Sequence, residues 1–261
     1  MAREEREGLM LRVVDFGESD RIVHLLTPES GRLTAIAKGA RRSVKRFPGT
    51  LDLFNHLRVQ LYRSRPGRMA HLQQAQLISP QLGLRERPNR FALGCYLLEL
   101  LDRLSPEGGA PDEARRLFRF ALEAFQAIGH SDPDRRLRTL FELRTLDALG
   151  LRPELRHCVR CSREPAGNAA LGFHVGEGGV LCRSCTGPGD GVLPVHRGTL
   201  RALEAVLRLD IDRLGRLGLG AAALDEASRI VHRFGRFHVG VELRSERFLD
   251  EILGSDARGV A

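Results

Sequence analysis

Four cysteines in the second half of the chain have the spacing of a metal site. They form two Cys-x-x-Cys pairs, Cys158 with Cys161 and Cys182 with Cys185, and twenty residues separate the pairs. This spacing is typical of zinc sites in which two tight turns each supply two thiolates. Four thiolates complete a tetrahedral set and leave no position for a substrate. The pattern therefore predicts one structural Zn²⁺ per chain, bound by all four cysteines.

Alternatives for the cysteine segment stay open. The two pairs are also compatible with unrelated buried or redox-active thiols. His157 and His174 are substitute ligands, although beside four cysteines they are expected near the site or on the surface. Residues 171–181 predict a β-hairpin that turns at residues 176–179, which would bring the pairs together as a zinc ribbon. The fifth cysteine, Cys95, lies on the apolar face of a predicted helix and is expected to be buried.

Five basic side chains crowd one loop in the first third of the chain. They lie within nine residues: Lys38, Arg41, Arg42, Lys45 and Arg46. Such a cluster can neutralise nucleic-acid phosphates, and aromatic side chains beside it can stack on bases. The stacking candidates are Phe47, Phe54, Tyr62 and the planes of arginine side chains. Phe54 and Tyr62 are equally compatible with core or outer-sheet positions. We predict that the five cations bind DNA. The alternative is a solvated loop without a specific partner. Further arginines could extend the surface: Arg21, Arg32, Arg58, Arg63, Arg65 and Arg68.

Charge and composition also favour a polyanionic partner. The 261 residues carry 41 Lys and Arg against 33 Asp and Glu, a net charge of +8, and such an excess attracts polyanions. Residues 1–80 hold fourteen of the basic and eight of the acidic residues, so +6 of the +8 lies there. No apolar run approaches the roughly 18–20 residues that span a bilayer, and the N-terminus lacks an apolar signal core. We expect a cytoplasmic, nucleoid-associated protein with reduced thiols and no membrane partner.

The sequence contains no recognisable catalytic constellation. It has no Walker phosphate loop, no His-Glu-x-x-His motif and no nucleophile elbow,. Two acidic pairs, Glu99 with Asp102 and Asp225 with Glu226, lie on predicted helices without a base or a metal motif beside them. Solvated helix faces are the expected explanation. We therefore expect no enzyme activity and no small-molecule substrate, and an unrecognised nuclease or hydrolase is the least favoured alternative.

Two kinds of periodicity indicate the elements that position these residues. Alternating apolar residues predict five short strands in the first eighty residues, over 9–16, 21–27, 33–38, 53–63 and 69–77. Five short strands without a comparable helix favour a closed barrel of the OB-fold type. Beyond residue 80 the apolar spacing becomes helical. It predicts helices from residue 90 onward and over 111–128, 134–149, 200–207 and 220–239.

These elements predict an α+β multidomain chain. Residues 1–80 form the OB-fold domain, 81–155 and 191–250 form two parts of an α-helical domain, 156–190 form the inserted four-cysteine zinc ribbon, and 251–261 form a flexible C-terminal tail.

Two segments near the N-terminus carry a specific residue pattern, VVDFGESDRIVHLLT at 13–27 and GRLTAIAKGARR at 31–42. With the two cysteine pairs behind them, they resemble the bacterial RecO family of recombination and repair mediators over nearly the whole chain. The resemblance implies an N-terminal OB domain, a helical C-terminal domain and a zinc module. It also implies a protein that binds single- and double-stranded DNA without ATP and anneals complementary strands.

The resemblance extends to protein partners. It implies action with RecR to load RecA onto DNA coated by single-strand-binding protein, and binding of that coating protein's acidic C-terminal tail. Some family members lack the cysteines, so zinc does not define the activity. The main alternative is a zinc-ribbon adaptor that acts through protein–protein contacts, with tight partner binding that barely changes with salt.

Overall fold

A computed structural model of the chain describes residues 3–43, 45–62, 69–165, 171–240 and 242–256. The chain divides into two compact units, Met1–His130 and Ser131–Ala261. The first unit contains a β-barrel and two helices, and the second contains the cysteine segment between helices. Within the described ranges, no helix is both long and apolar enough to cross a bilayer.

Five strands of the first unit close into a barrel. Their bounds are β1 Arg3–Phe16, β2 Asp20–Thr27, β3 Gly31–Ala37, β4 His56–Tyr62 and β5 Ala70–Ser79. The strand order around the barrel is β1-β2-β3-β5-β4. Neighbouring strands are antiparallel except β3 and β5, which pair in parallel. This arrangement confirms the predicted OB-like barrel.

Period-two burial fills the barrel. Leu57, Val59 and Leu61 of β4 are at most 3% exposed, because successive side chains of a strand point to opposite faces. The core also takes residues from the loop between β3 and β4, since Phe47 and Leu51 belong to the same buried cluster. The barrel core therefore includes side chains from outside its strands.

Two helices complete the first unit, α1 Pro88–Leu104 and α2 Pro111–Gly129. Each begins with a proline, which suits the first helical turn because its amide N–H has no intrahelical partner. Phe54 lies between them, with ring centroids 5.6 Å from both Phe91 and Phe125. Gly94 of α1 permits this packing, because a Cβ there would lie 3.0 Å from the Phe54 ring. An aromatic cluster thus joins the segment that precedes β4 to both helices.

The second unit combines helices with a small sheet. Its elements are α3 Arg135–Ala148, β6 Leu171–His174, β7 Gly179–Leu181, β8 Leu193–Val195, α4 Arg197–Arg208, α5 Ala221–Val239 and α6 Arg244–Asp256. The three strands form an antiparallel sheet in the order β7-β6-β8. Helix α3 begins at an Asp134 cap, whose carboxylate accepts the Leu137 N–H at 2.7 Å,.

The two compact units of the structure group the helices in a way that the predicted domains did not specify. Helices α1 and α2 belong to the compact unit of the barrel, whereas α3 belongs to that of the cysteines. Helix α6 extends through Asp256, six residues into the segment expected as a tail. The predicted domain boundaries after residues 80, 155, 190 and 250 stay predictions.

Candidate metal centre and nucleic-acid interface

The structure brings the four predicted metal ligands together. The Sγ atoms of Cys158, Cys161, Cys182 and Cys185 all lie within 4.8 Å of one another. Those of Cys161 and Cys182 are 3.8 Å apart. Zinc–sulfur bonds of about 2.3 Å at tetrahedral angles place sulfurs roughly 3.8 Å apart. The four side chains can therefore hold a metal ion in a closed thiolate set.

Two tight turns and a hairpin create this geometry. The Ser162 N–H donates to the Cys158 carbonyl at 2.8 Å, and the Cys185 N–H donates to the Cys182 carbonyl at 3.0 Å. Ser162 takes a left-handed φ of 58° to complete the first turn. The β6–β7 hairpin then returns the chain, so that the Val159 N–H reaches the Val180 carbonyl at 3.0 Å. The predicted hairpin is confirmed, and β8 adds a strand that periodicity did not indicate.

Arg160 joins the two turns. Its guanidinium donates to Glu177 at 2.6 Å, to Asp190 at 2.9 Å and to the Cys185 carbonyl at 2.7 Å. These contacts link the first cysteine pair to the hairpin turn and to the segment after the second pair. The same arginine holds the pKa of Glu177 and of Asp190 below their usual values. The pairing with Arg160 therefore favours the ionised form of both carboxylates.

The thiols differ in acidity before any metal binds. A hydrogen bond with the Ser184 hydroxyl lowers the pKa of Cys182 to about 6. Hydrogen bonds with neighbouring sulfurs, that of Cys182 first, raise the pKa of Cys185 to about 12. A bound dication would displace that proton, because coordinating thiols are deprotonated by the metal charge. The donor set thus fits a thiophilic dication.

The two histidines lie outside the ligand set. His174 accepts the Glu177 N–H at 2.9 Å through Nδ1, and His157 lies 3.7 Å from Glu154. The cluster of metal-ligating groups found among the described side chains consists of the four cysteines. His174 supports the hairpin turn, and neither histidine belongs to the group of ligand atoms that could hold a metal ion.

The basic loop, residues 38–49, is the first part of the connection between β3 and β4, at the barrel rim. All five cations predicted to bind DNA are exposed there: Lys38, Arg41, Arg42, Lys45 and Arg46. The loop is anchored to the β1–β2 turn, because the Arg41 N–H donates to the Ser19 carbonyl at 3.0 Å and the Gly39 N–H donates to Asp20 at 2.7 Å. Gly39 has a φ of 65°, a left-handed conformation that glycine adopts without strain.

The five cations are not equally available. Arg41 faces Asp15 at 3.6 Å, and Arg46 donates to the Lys38 carbonyl at 2.7 Å while lying over the Phe47 ring. The side chains of Lys38, Arg42 and Lys45 form no hydrogen bond or ion pair with the residues that the structure describes. These three side chains are therefore free to bind an external anion, and we call them the loop's available cations. Arg46 mainly shapes the loop.

Comparison with known proteins identifies the family. The family model "Recombination protein O N terminal" matches residues 1–81, and "Recombination protein O C terminal" matches residues 85–247. The chain belongs to the RecO family. Similar relatives, each named DNA repair protein RecO, include those of Symbiobacterium thermophilum, 35% identical, and Anaeromyxobacter dehalogenans, 36% identical, both over 97% of this chain and 98% of the relative. That of Bacillus subtilis is 30% identical over 94% and 93%.

Membership of the RecO family places the chain among DNA repair and recombination proteins. It also gives the basic loop a context, since the matched N-terminal segment contains the whole barrel. The family descriptions assign no residue. Contact of the basic loop with DNA therefore stays a prediction, which rests on the exposure and charge of its side chains.

Two of the predicted stacking residues of this RecO-family chain are core residues. Phe47 is 6% exposed and Phe54 is fully buried, so neither ring is open to a base. The prediction of stacking by Phe47 was wrong, because the loop folds its ring into the barrel core. Tyr62 is partly exposed, with its ring 6.3 Å from His71.

The arginines expected to extend the surface are partly engaged elsewhere. Arg32 bonds to the Asp102 carbonyl at 2.9 Å and to Glu107 at 3.0 Å, and Arg58 lies 3.5 Å from Glu5. Arg21 pairs with Asp15 at 3.0 Å. Arg63, Arg65 and Arg68 lie outside the described residues.

Two carboxylates predicted to lie on solvated helix faces are buried. Asp102 accepts a hydrogen bond from His24 at 2.5 Å and thereby ties α1 to the barrel. Glu226 of α5 accepts from the backbone N–H of His196 at 3.0 Å, its ring at 2.5 Å and the Thr199 hydroxyl at 2.6 Å. Both groups thus have structural partners that the sequence did not indicate, and Glu226 caps the start of α4.

Proposed function

We propose that this RecO-family chain is a mediator of DNA repair and homologous recombination that binds single- and double-stranded DNA without ATP. The observation that carries the proposal is the set of available cations, Lys38, Arg42 and Lys45, on a loop anchored to an OB-like barrel. Lysine and arginine side chains without an internal partner are free to neutralise phosphates. Phosphate contacts are common to both kinds of DNA, so the loop binds either.

Strand annealing follows from the same contacts and needs no chemical step. A protein that neutralises phosphates on two strands lowers their repulsion and raises their local concentration. Contacts that are weak and salt-sensitive let the new duplex leave. We propose that the chain acts in this way as an annealing protein and that it is not an enzyme.

We propose that the metal is one structural Zn²⁺ per chain, held by Cys158, Cys161, Cys182 and Cys185. The 3.8 Å sulfur separation and the all-thiolate donor set support zinc,. A closed set of four ligands stabilises the fold of a small module and offers no site for substrate. In this proposal the metal supports the ribbon and does not contact DNA.

The protein partners are proposed from the family relationship. We infer that the chain acts with RecR to load RecA onto DNA coated by single-strand-binding protein, and that it binds the acidic C-terminal tail of that coating protein. Matches across both family segments support this role. The pocket for the tail stays unassigned. A DNA mediator of this kind works in the cytoplasm at the nucleoid.

A salt titration tests the DNA site. Single-strand and duplex affinities of the whole chain are measured between 50 and 200 mM salt for the unaltered protein, Arg42→Glu and Arg115→Glu. Arg115 is an exposed residue of α2, paired with Asp112, so its reversal is a matched charge control. We expect Arg42→Glu to lower both affinities and to reduce the salt slope by about 1, with a smaller effect from the control.

Two results would contradict the proposal. Equal affinities for the unaltered protein and Arg42→Glu would remove the basic loop as the DNA site. Binding of the protein partners that is tight and insensitive to salt, without DNA binding, would favour the zinc-ribbon adaptor instead. Turnover of a nuclease or hydrolase substrate in a metal-supplemented assay would contradict the proposal that the chain is not an enzyme.

A further inference from the structure

An apolar row crosses the outer face of the barrel. Val14, Ile22 and Ile36 are cross-strand partners on β1, β2 and β3, and His71 of β5 pairs with Ile36. Their sequence neighbours face the core: Val13, Val23, Ala35 and Leu72. Because side chains alternate along a strand, the row itself faces outward. Val14 is 37% exposed, and the other three are partly exposed.

Phe16 extends this outer row at the tip of the β1–β2 hairpin. It lies two residues beyond Val14, on the same face of β1, and its side chain is 53% exposed. Among the described side chains of the first unit, it is the aromatic residue with the largest exposure. Single exposed apolar residues are common on protein surfaces, but a contiguous row marks a binding surface more often.

The basic loop is fixed to the same hairpin tip. Arg41 bonds through its backbone to Ser19 and through its side chain to the Glu18 carbonyl at 3.3 Å. Asp20, the cross-strand partner of Phe16, directs its carboxylate to the Gly39 N–H at 2.7 Å. This carboxylate and that of Asp15 therefore have partners in or beside the loop. The phenyl ring and the cations belong to one connected structure at the barrel rim.

We propose that Phe16 and the outer row form a stacking surface for the unpaired bases of single-stranded DNA. The inference rests on the proposed DNA-binding function and adds a division of labour to it. The basic loop binds phosphates of either kind of DNA. A phenyl ring stacks on a base only when the base is not already stacked within a duplex. The aromatic surface therefore distinguishes single strands from duplexes, and stacking through base faces leaves the pairing edges accessible to a complementary strand.

Substitution of Phe16 separates the two contributions. Equilibrium binding of a single-stranded oligonucleotide and of a blunt duplex of equal length is compared for the unaltered chain, Phe16→Ala and Phe16→Tyr. We expect Phe16→Ala to weaken single-strand binding by about 5- to 150-fold, the range for loss of one base-stacking contact. Duplex affinity should change by less than about twofold. Phe16→Tyr keeps the ring and should retain most of the single-strand affinity.

Fluorescence reports the stacking directly, because the chain contains no tryptophan. Phe16→Trp introduces one indole at the hairpin tip. Phe237→Trp places one at a residue of α5 that is 59% exposed and serves as the control. We expect single-stranded DNA to quench emission at position 16 and to leave position 237 largely unchanged, with little quenching by the duplex at either position.

The outcomes separate the inference from the function beneath it. Equal losses on single strands and duplex with Phe16→Ala, or no loss on single strands, would overturn the stacking surface while leaving the basic loop as the DNA site. Absence of salt-dependent binding to either DNA by the unaltered chain would overturn the proposed function and the inference together. Thermal unfolding of each variant confirms that it is folded, as expected for an exposed position.

Discussion

Side chains of the same type have different roles in this chain according to their partners. Arg42 is exposed and available, Arg41 beside it faces Asp15, and Arg160 bridges two carboxylates. A count of basic residues therefore overstates how many side chains are free to contact phosphates in the proposed DNA site. The available set in the basic loop is three cations, Lys38, Arg42 and Lys45. If each contacts one phosphate, the loop contributes a salt slope of about 2.7 on duplex DNA and about 2.1 on single strands.

Glu226 makes a prediction about stability and pH. Burial raises the pKa of its carboxyl, but hydrogen bonds from His196 and Thr199 outweigh burial and lower it below the usual value. A lowered folded-state pKa means that the stabilisation is present above the ordinary glutamate pKa and is lost as pH falls through the folded-state value. Glu226→Gln should therefore lower the free energy of unfolding by about 1–3 kcal/mol near pH 7, and by less in acid.

Denaturant unfolding at pH 7 and near pH 3 measures this difference. Asp225→Asn is the matched control, because Asp225 precedes Glu226 on α5 and pairs with Arg135 at the surface. An exposed ion pair contributes about 0–1 kcal/mol, so the control should change little. A Glu226→Gln deficit that stayed constant at both pH values would contradict the role of the ionised carboxylate as the cap of α4.

These buried carboxylates show what the sequence could not predict at the residue scale. Asp102 and its partner His24 are 78 residues apart, and Glu226 caps a helix that begins thirty residues earlier. Helical periodicity locates an apolar face but does not say which polar side chain on its border will meet a distant donor. The cysteine pairs were predictable, because each pair lies within one turn and tetrahedral coordination requires the two turns to meet.

At the scale of elements, period-two and helical patterns predicted most strands and helices. The segment before β4 differs, since Phe54 takes a φ of 66° and its ring packs between α1 and α2 where a strand was expected to continue. The local sequence does not predict a left-handed backbone conformation at a phenylalanine. That conformation is unfavourable in the isolated chain and is maintained here by tertiary packing. Helix α6 and strand β8 were also not predicted, as both are short or weakly periodic.

We expect the proposed zinc ribbon to depend on Arg160 as well as on the four cysteines. Its guanidinium links Glu177, Asp190 and the Cys185 carbonyl. Removal of this guanidinium should therefore let the two cysteine turns separate more often. We expect Arg160→Ala to release zinc to a chelator several-fold faster while the purified protein still contains one zinc per chain. Metal release followed with a chromogenic chelator measures the rate.

Arg183→Ala is the control for the ribbon. Arg183 lies inside the second cysteine pair, is exposed and forms no side-chain hydrogen bond or ion pair with the described residues, so its substitution removes the same charge without the bridge. Equal release from Arg160→Ala and Arg183→Ala would show that charge, not bridging, controls metal retention. Absence of zinc from the unaltered protein, or its full retention in Cys158→Ser, would contradict the metal site itself.

At the scale of the whole molecule, the division into two compact units bears on which fragment could contain the proposed DNA site and still fold. Residues 1–80 contain the whole barrel, but they lack the helices that cover Phe54 and the Asp102 carboxylate that partners His24. A fragment that ends at residue 80 exposes that aromatic cluster to water and leaves the polar partner out. The compact unit Met1–His130 keeps both sets of contacts.

We therefore expect a fragment of residues 1–130 to unfold cooperatively and a fragment of residues 1–80 to aggregate or remain unfolded. The salt slope of single-strand binding by 1–130 should match that of the whole chain within about one unit, because the available cations and Phe16 all lie in this unit. Circular dichroism with thermal unfolding measures the first expectation, and titrations between 50 and 200 mM salt measure the second. A much steeper slope for the whole chain would mean that the second unit also contacts phosphates, and a stable fragment of residues 1–80 would mean that α1 and α2 are dispensable for the barrel.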